Sequence, residues 1–227
     1  MKISKNEKLI IKGIIIFLLF WNSAQFQRIP IYLFHLDIYH LSDSVQVLLS
    51  AFSSLVMALI LFIIYRKELM KEFKIFMRNP IEHLDTGFYY YAIGFVIMLV
   101  SNLIINFILG GGGASNEQVV QKMIQALPIV MIIEAGFLAP FTEEIVFRKT
   151  IKDVVKNPYL FAFLSFLLFG GAHVLTSNSL MGYLYIIPYG ALGAAFAFAY
   201  YKTDTIFTSM TIHMIHNTLL ILISILL

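Results

Sequence analysis

Apolar runs long enough to cross a lipid bilayer follow one another along nearly the whole chain, and this repetition constrains the fold more than any other feature. Crossing about 30 Å of hydrocarbon takes roughly 20 helical residues. Such runs lie near 9–27, 45–65, 88–109, 119–141, 159–176, 182–201 and 205–226. The expected fold is all-α, a polytopic transmembrane bundle of about seven spans (six to eight). Hydrophobic residues make up 59% of the 227 and charged ones only 13%, which excludes an ordinary soluble domain. The first run follows Lys2, Lys5, Lys8 and Lys12 much as a signal peptide would. It lacks a clear small-residue cleavage site and further spans follow, so it reads as a retained helix.

Charge asymmetry gives the orientation independently, because Lys and Arg are held back on the cytoplasmic face. With the N-terminus inside, Lys2 to Lys12, Arg66 to Arg78, Arg148 to Lys156 and Lys202 all fall on that face. Only Arg28 and Lys122 of the 16 basic residues fall outside. The net charge of +3 is thus an orientation signal and gives no reason to expect nucleic acid as a partner. With no cysteine, disulfides, thiolate metal sites and a cysteine nucleophile are excluded.

No internal repeat or soluble domain is evident. Residues 1–110 read as N-terminal helices without motifs, and 111–227 as the chemistry-bearing core. The mixed basic and apolar stretch 66–79 fits either an amphipathic helix on the inner leaflet or a charged loop. Gly110 to Gly113 read as a flexible outer hairpin. Gly190, Gly193, Ala194, Ala195 and Ala197 form a small-residue stripe that lets one helix pack closely on a neighbour.

Ionisable groups inside lipid are costly and mark function by default. Glu143, Glu144 and Arg148 stand among apolar runs that also carry His173, His213 and Asn217. Read locally, Pro140-Phe141-Thr142-Glu143-Glu144 is a helix start with Thr142 as N-cap, and Glu144 with Arg148 is an i,i+4 ion pair. A count of heights argues for more. Asn157-Pro158 marks a turn between antiparallel helices; Glu144 precedes Asn157 by 13 residues and His173 follows Pro158 by 15. At 1.5 Å per residue both rise roughly 20 Å from the turn. This requires one continuous helix from about Leu127-Pro128 to about Lys156. His213 and Asn217 share a face of the last helix, with His216 about 90° away. Three helices can therefore present these groups in one slab of the membrane.

The same residues carry a resemblance. Glu143-Glu144-Ile145-Val146-Phe147-Arg148 is similar to the first motif (E-E-x-x-x-R) of the CPBP, or Abi, intramembrane endopeptidases. Phe169-Gly170-Gly171-Ala172-His173 is similar to the second motif (F-x-x-x-H), and His213-Met214-Ile215-His216-Asn217 to the last (H-x-x-x-N). The family includes type II CAAX prenyl endopeptidases and bacteriocin-processing and self-immunity proteins. The match covers residues 128–220 in order and spacing. It implies a peptidase in which Glu143 and His173 bind and activate water, His213 and Asn217 supply oxyanion donors, and Glu144 with Arg148 orients them. The residues alone do not order the two glutamates.

No cofactor is required on this reading. The rival is a divalent metal such as zinc on Glu143, His173 and His213, although the His-Glu-x-x-His spacing of helical zinc proteases is missing. Glu134 lies nine residues before Glu143, 180° away on a straight helix, and reads as a satisfied buried acid, the alternative being a second polar wall. His35, Asp37, His40 and Asp43 fall in an outer loop, and no serine triad is evident. The expected substrate is a leader, hydrophobic or lipidated peptide reached in a bacterial plasma membrane. Alternatives from other classes are a non-catalytic bacteriocin self-immunity or scaffold protein and an ion-coupled transporter.

Overall fold

The computed structural model describes residues 4–110, 114–175, 177 and 179–226, and all regular structure among them is helical. Helix α1 (Lys5–Trp21) starts on a capping box in which Ser4 and Glu7 exchange hydrogen bonds. A 3₁₀ turn, Ser23–Gln27, leads into the short α2 (Arg28–Leu33). Ser42 caps α3 (Asp43–Phe76), and Pro80 occupies the first turn of α4 (Pro80–Leu109), where its missing N–H costs nothing. Gly110, with φ +73°, ends α4 in the left-handed conformation; the other three glycines of the expected hairpin lie outside the described residues.

After α5 (Ser115–Ala126), one rod runs from Pro128 to Val154. Three α-helical pieces, α6 (Pro128–Ile133), α7 (Ala139–Glu144) and α8 (Thr150–Val154), are joined by two π-helical turns, Glu134–Leu138 and Ile145–Lys149. The rod begins where the count of heights required and ends two residues short of Lys156. Thr142 is not an N-cap: it sits inside the rod, and its hydroxyl donates to Leu138 O at 2.8 Å. Asn157 caps α9 (Pro158–Val174), accepting from the N–H groups of Tyr159 and Leu160. A 3₁₀ turn (Met181–Tyr185), α10 (Ile186–Thr203) and α11 (Ile206–Leu226) complete the bundle.

Helices are the natural answer to hydrocarbon, since each pairs its own backbone groups. Lipid-facing positions are bare apolar side chains, such as Leu103, Phe107 and Leu219. Among the described residues α3, α4, α11 and the segment Met181–Thr203 are long and apolar enough to span a bilayer. Lys5–Trp21 with Ser23–Leu33, bent by 51°, gives a fifth if the bent pair is counted as one span. The two remaining runs expected to span have physical reasons to fall short: α9 has 17 residues, and the rod is broken by π turns and carries the charged cluster.

The stretch 66–76 is neither a loop nor a separate surface helix, because α3 continues through it for about 51 Å in all. Its end is clamped: Glu72 accepts from Tyr200 Oη at 2.9 Å and Ile206 N at 2.8 Å and faces Lys149 Nζ at 3.4 Å. The small-residue stripe of α10 packs as expected. A β-carbon at Gly190 would lie 2.7 Å from the Phe166 ring, so α9 and α10 meet at a distance only glycine permits.

Candidate active site

The rod, α9 and α11 converge at one level. Glu144 and Arg148 are fully buried on the rod, with Arg148 Nη1 3.3 Å from Glu144 Oε1. The guanidinium lies over the Phe169 ring at 4.2 Å and near Phe196 at 5.4 Å, so aromatic faces replace the water a cation would otherwise need. His213 on α11 places Nδ1 3.0 Å from the same Glu144 oxygen and stacks on Phe196 at 4.8 Å. With Nδ1–H donating to Glu144, the ring turns Nε2 toward Glu143 Oε2, 3.7 Å away.

Glu143 and Glu144 are neighbours in sequence with opposite environments. Glu144 is sealed, whereas Glu143 is 17% exposed at its side chain and lines a cavity of about 590 Å³. His173, His213, His216 and Asn217 line the same cavity. His173 Nδ1–H donates to Phe169 O at 2.8 Å, and its ring is stacked on Tyr189 at 4.5 Å, which leaves Nε2 as the free ring nitrogen. The height counted for Glu144 matches that of His173, and its neighbour Glu143 is the member of the pair that shares the chamber with His173.

Asn217 is engaged in a way its spacing does not reveal. Its Nδ2 donates to Ala135 O at 2.9 Å, inside the first π turn. The second π turn is served in the same manner, Ser165 Oγ donating to Phe147 O at 2.9 Å and Thr150 Oγ1 to Ile145 O at 2.9 Å. A π turn displaces carbonyls from the α ladder, and here side chains pair them.

The first π turn also corrects the reading of Glu134. A straight helix sets Glu134 and Glu143 about 180° apart, but a π turn takes up one residue without advancing the helix, which leaves about 80°. Both carboxylates line the same cavity. Glu134 Oε1 accepts from Ser50 Oγ at 2.5 Å and Ser54 Oγ at 3.1 Å, while the buried Oε2 has no hydrogen-bond partner; the acid is only half satisfied.

Sequence reasoning missed Tyr189, Phe196 and Tyr91, whose hydroxyl meets His216 Nδ1 at 3.0 Å from α4. Pairings across such separations leave no local pattern. Among the described residues no three His, Asp or Glu side chains are disposed to hold a metal ion, so the set Glu143, His173 and His213 does not fit one. In the loop between α2 and α3, Asp37 pairs with His40 at 2.7 Å, and this hydrogen bond holds the Asp37 carboxyl below the usual carboxylate range.

Fold and site together define a polytopic helical membrane protein with a carboxylate and histidines facing one internal cavity. Residues 125–219 match the model of the family described as type II CAAX prenyl endopeptidase Rce1-like. Over 137 residues the chain is 34% identical to a Bacillus subtilis (strain 168) protein named "Putative membrane peptidase YdiL". That alignment covers 57% of this chain and 53% of the relative, so the chain spans about half the length of the curated relative it matches. No solved structure gives a significant match. The family match falls on the part of the chain that carries the glutamate pair and the site histidines, which is thus similar to the CPBP, or CAAX-protease, family.

Proposed function

We propose that the chain is an intramembrane endopeptidase that hydrolyses a peptide bond with water activated by Glu143 and His173. The observation that carries this reading is the split environment of the glutamate pair: Glu143 faces the cavity and Glu144 is sealed against Arg148 and His213. A base must reach water, and a group that only fixes geometry need not.

In this mechanism a water lies between the Glu143 carboxylate and His173 Nε2. Glu143 takes one proton as the oxygen attacks the carbonyl carbon, and the carbonyl oxygen becomes the oxyanion. The oxyanion donors on this reading are the His213 ring and Asn217, which offers the Nδ2 hydrogen not given to Ala135. Glu143 then passes its proton to the leaving nitrogen as the C–N bond breaks. Glu144 and Arg148 are positioning residues, since Glu144 holds the Nδ1 side of His213 and Arg148 balances its charge. The imidazole nitrogens provide the donors and acceptors without a metal.

The substrate class that fits is a leader, hydrophobic or lipidated peptide entering the cavity from the bilayer, in a bacterial plasma membrane with the N-terminus cytoplasmic. Mass spectrometry of peptides released by wild type and by Glu143→Gln tests this, with hydrophobic leader peptides and farnesylated CAAX peptides as probes. Cleavage by wild type alone is the expected result. Identical profiles from both proteins would overturn it and favour an immunity, scaffold or transport role.

A further inference from the structure

Glu134 is not used by the mechanism above, yet the fold brings it into the same chamber. It is 7% exposed, Ser50 and Ser54 of α3 fix its Oε1, and its Oε2 has no partner. A buried carboxylate oxygen is expected to accept a hydrogen bond. The rest of the wall indicates what kind of donor. Glu117, Glu134 and Glu143 line the cavity, and no Lys or Arg does so among the described residues. The chamber therefore attracts positive charge and repels carboxylates.

We propose that Glu134 is a specificity residue that binds a cationic side chain, lysine or arginine, of the peptide substrate. This rests on the endopeptidase reading, whose site it extends. The distance from Glu143 sets the register. Eight effective steps of helix separate the two carboxylates by about 12 Å along the rod. An extended peptide advances about 3.3 Å per residue, so the cation stands about four residues from the cleaved bond. The two serines hold Oε1 from the side, which leaves Oε2 as the acceptor for the incoming N–H. The π turn at Glu134–Leu138 makes this arrangement available, because without it Glu134 would face away from the chamber.

The test uses the full chain in detergent and matched hydrophobic peptides. Lysine, norleucine or glutamate is placed in turn three to five residues to either side of the scissile bond. Wild type is expected to cleave the best lysine peptide with kcat/KM about tenfold above its norleucine twin, and the glutamate twin least. In Glu134→Gln the lysine-to-norleucine ratio falls close to one. Equal rates for lysine and norleucine peptides at every position with wild type would overturn the proposal, and that comparison needs no variant to fold. Binding of the same fluorescent peptides to Glu143→Gln, with and without Glu134→Gln, separates this idea from the peptidase reading. A lysine preference in binding that vanishes with Glu134→Gln supports the cation site even where no peptide is cut. Cleavage without any lysine preference leaves the peptidase and removes the cation site.

Discussion

Asn217 on the last helix donates from Nδ2 to the carbonyl of Ala135 at 2.9 Å, pairing an acceptor inside the first π turn of the rod. One side chain thereby serves two ends, the shape of the rod and the wall of the cavity. Asn217→Ala is expected to lose about 1–3 kcal/mol of stability through the unpaired carbonyl, together with most of the cleavage rate. Ser165→Ala removes the equivalent bond to Phe147 O, which lies away from the cavity lining, and should cost stability alone. Thermal unfolding in detergent alongside peptide cleavage tells the two apart; equal activity losses would contradict the double role of Asn217.

The two glutamates should fail in different ways. Glu143→Gln keeps its volume and breaks no close hydrogen bond, so the protein should fold normally while cleavage falls about 10²–10⁴-fold. Glu144→Gln leaves Arg148 buried without its counter-charge and should lose about 3–5 kcal/mol. A Glu144 variant that is as stable as wild type would sink the sealed ion pair as described.

Replacing both halves of that pair offers a sharper check. Glu144→Gln combined with Arg148→Met removes both buried charges, and it should unfold at a higher temperature than either single variant. Its cleavage rate should stay low, because His213 has lost the carboxylate that orients it. Additive destabilisation in the double-mutant cycle would mean that the two side chains do not interact.

Much of this arrangement was legible in the sequence, and the reasons are specific. The turn at Asn157-Pro158 and two residue counts put Glu144, and with it the glutamate pair, at the height of His173, since a helix advances by a fixed rise. The i,i+4 spacing put His213 and Asn217 on one face. Glu134 was misplaced because a π turn has no signature in apolar periodicity, and a count at 100° per residue carries the error to everything beyond it. Tyr91 and Tyr189 were invisible for another reason: their partners, His216 and His173, lie on other helices, and only packing brings them together.

Close approach of α9 and α10 should tolerate no added bulk. Gly190→Val introduces branches where a single β-carbon already meets the Phe166 ring at 2.7 Å. The expected cost is about 1–3 kcal/mol, seen as a lowered unfolding temperature. Cleavage should fall as well, because His173 rides on the displaced helix.

Treatment with a chelator should leave the cleavage rate within about twofold, as expected where no trio of ligands is arranged for a metal. Loss of activity that zinc restores would require a different mechanism.

The two π turns give the rod an unusual relation to its own length. Each turn absorbs one residue of register, so the faces of Pro128–Ile133, Ala139–Glu144 and Thr150–Val154 are indexed to one another by insertion rather than by side-chain identity. Deleting one residue from Glu134–Leu138 would restore a plain α-helix and swing everything before it by about 100° relative to Glu143. No side chain of the glutamate pair would change, yet Glu134 would leave the chamber and Ala135 would need no partner. For this segment a change in length alters chemistry more deeply than most changes of letter.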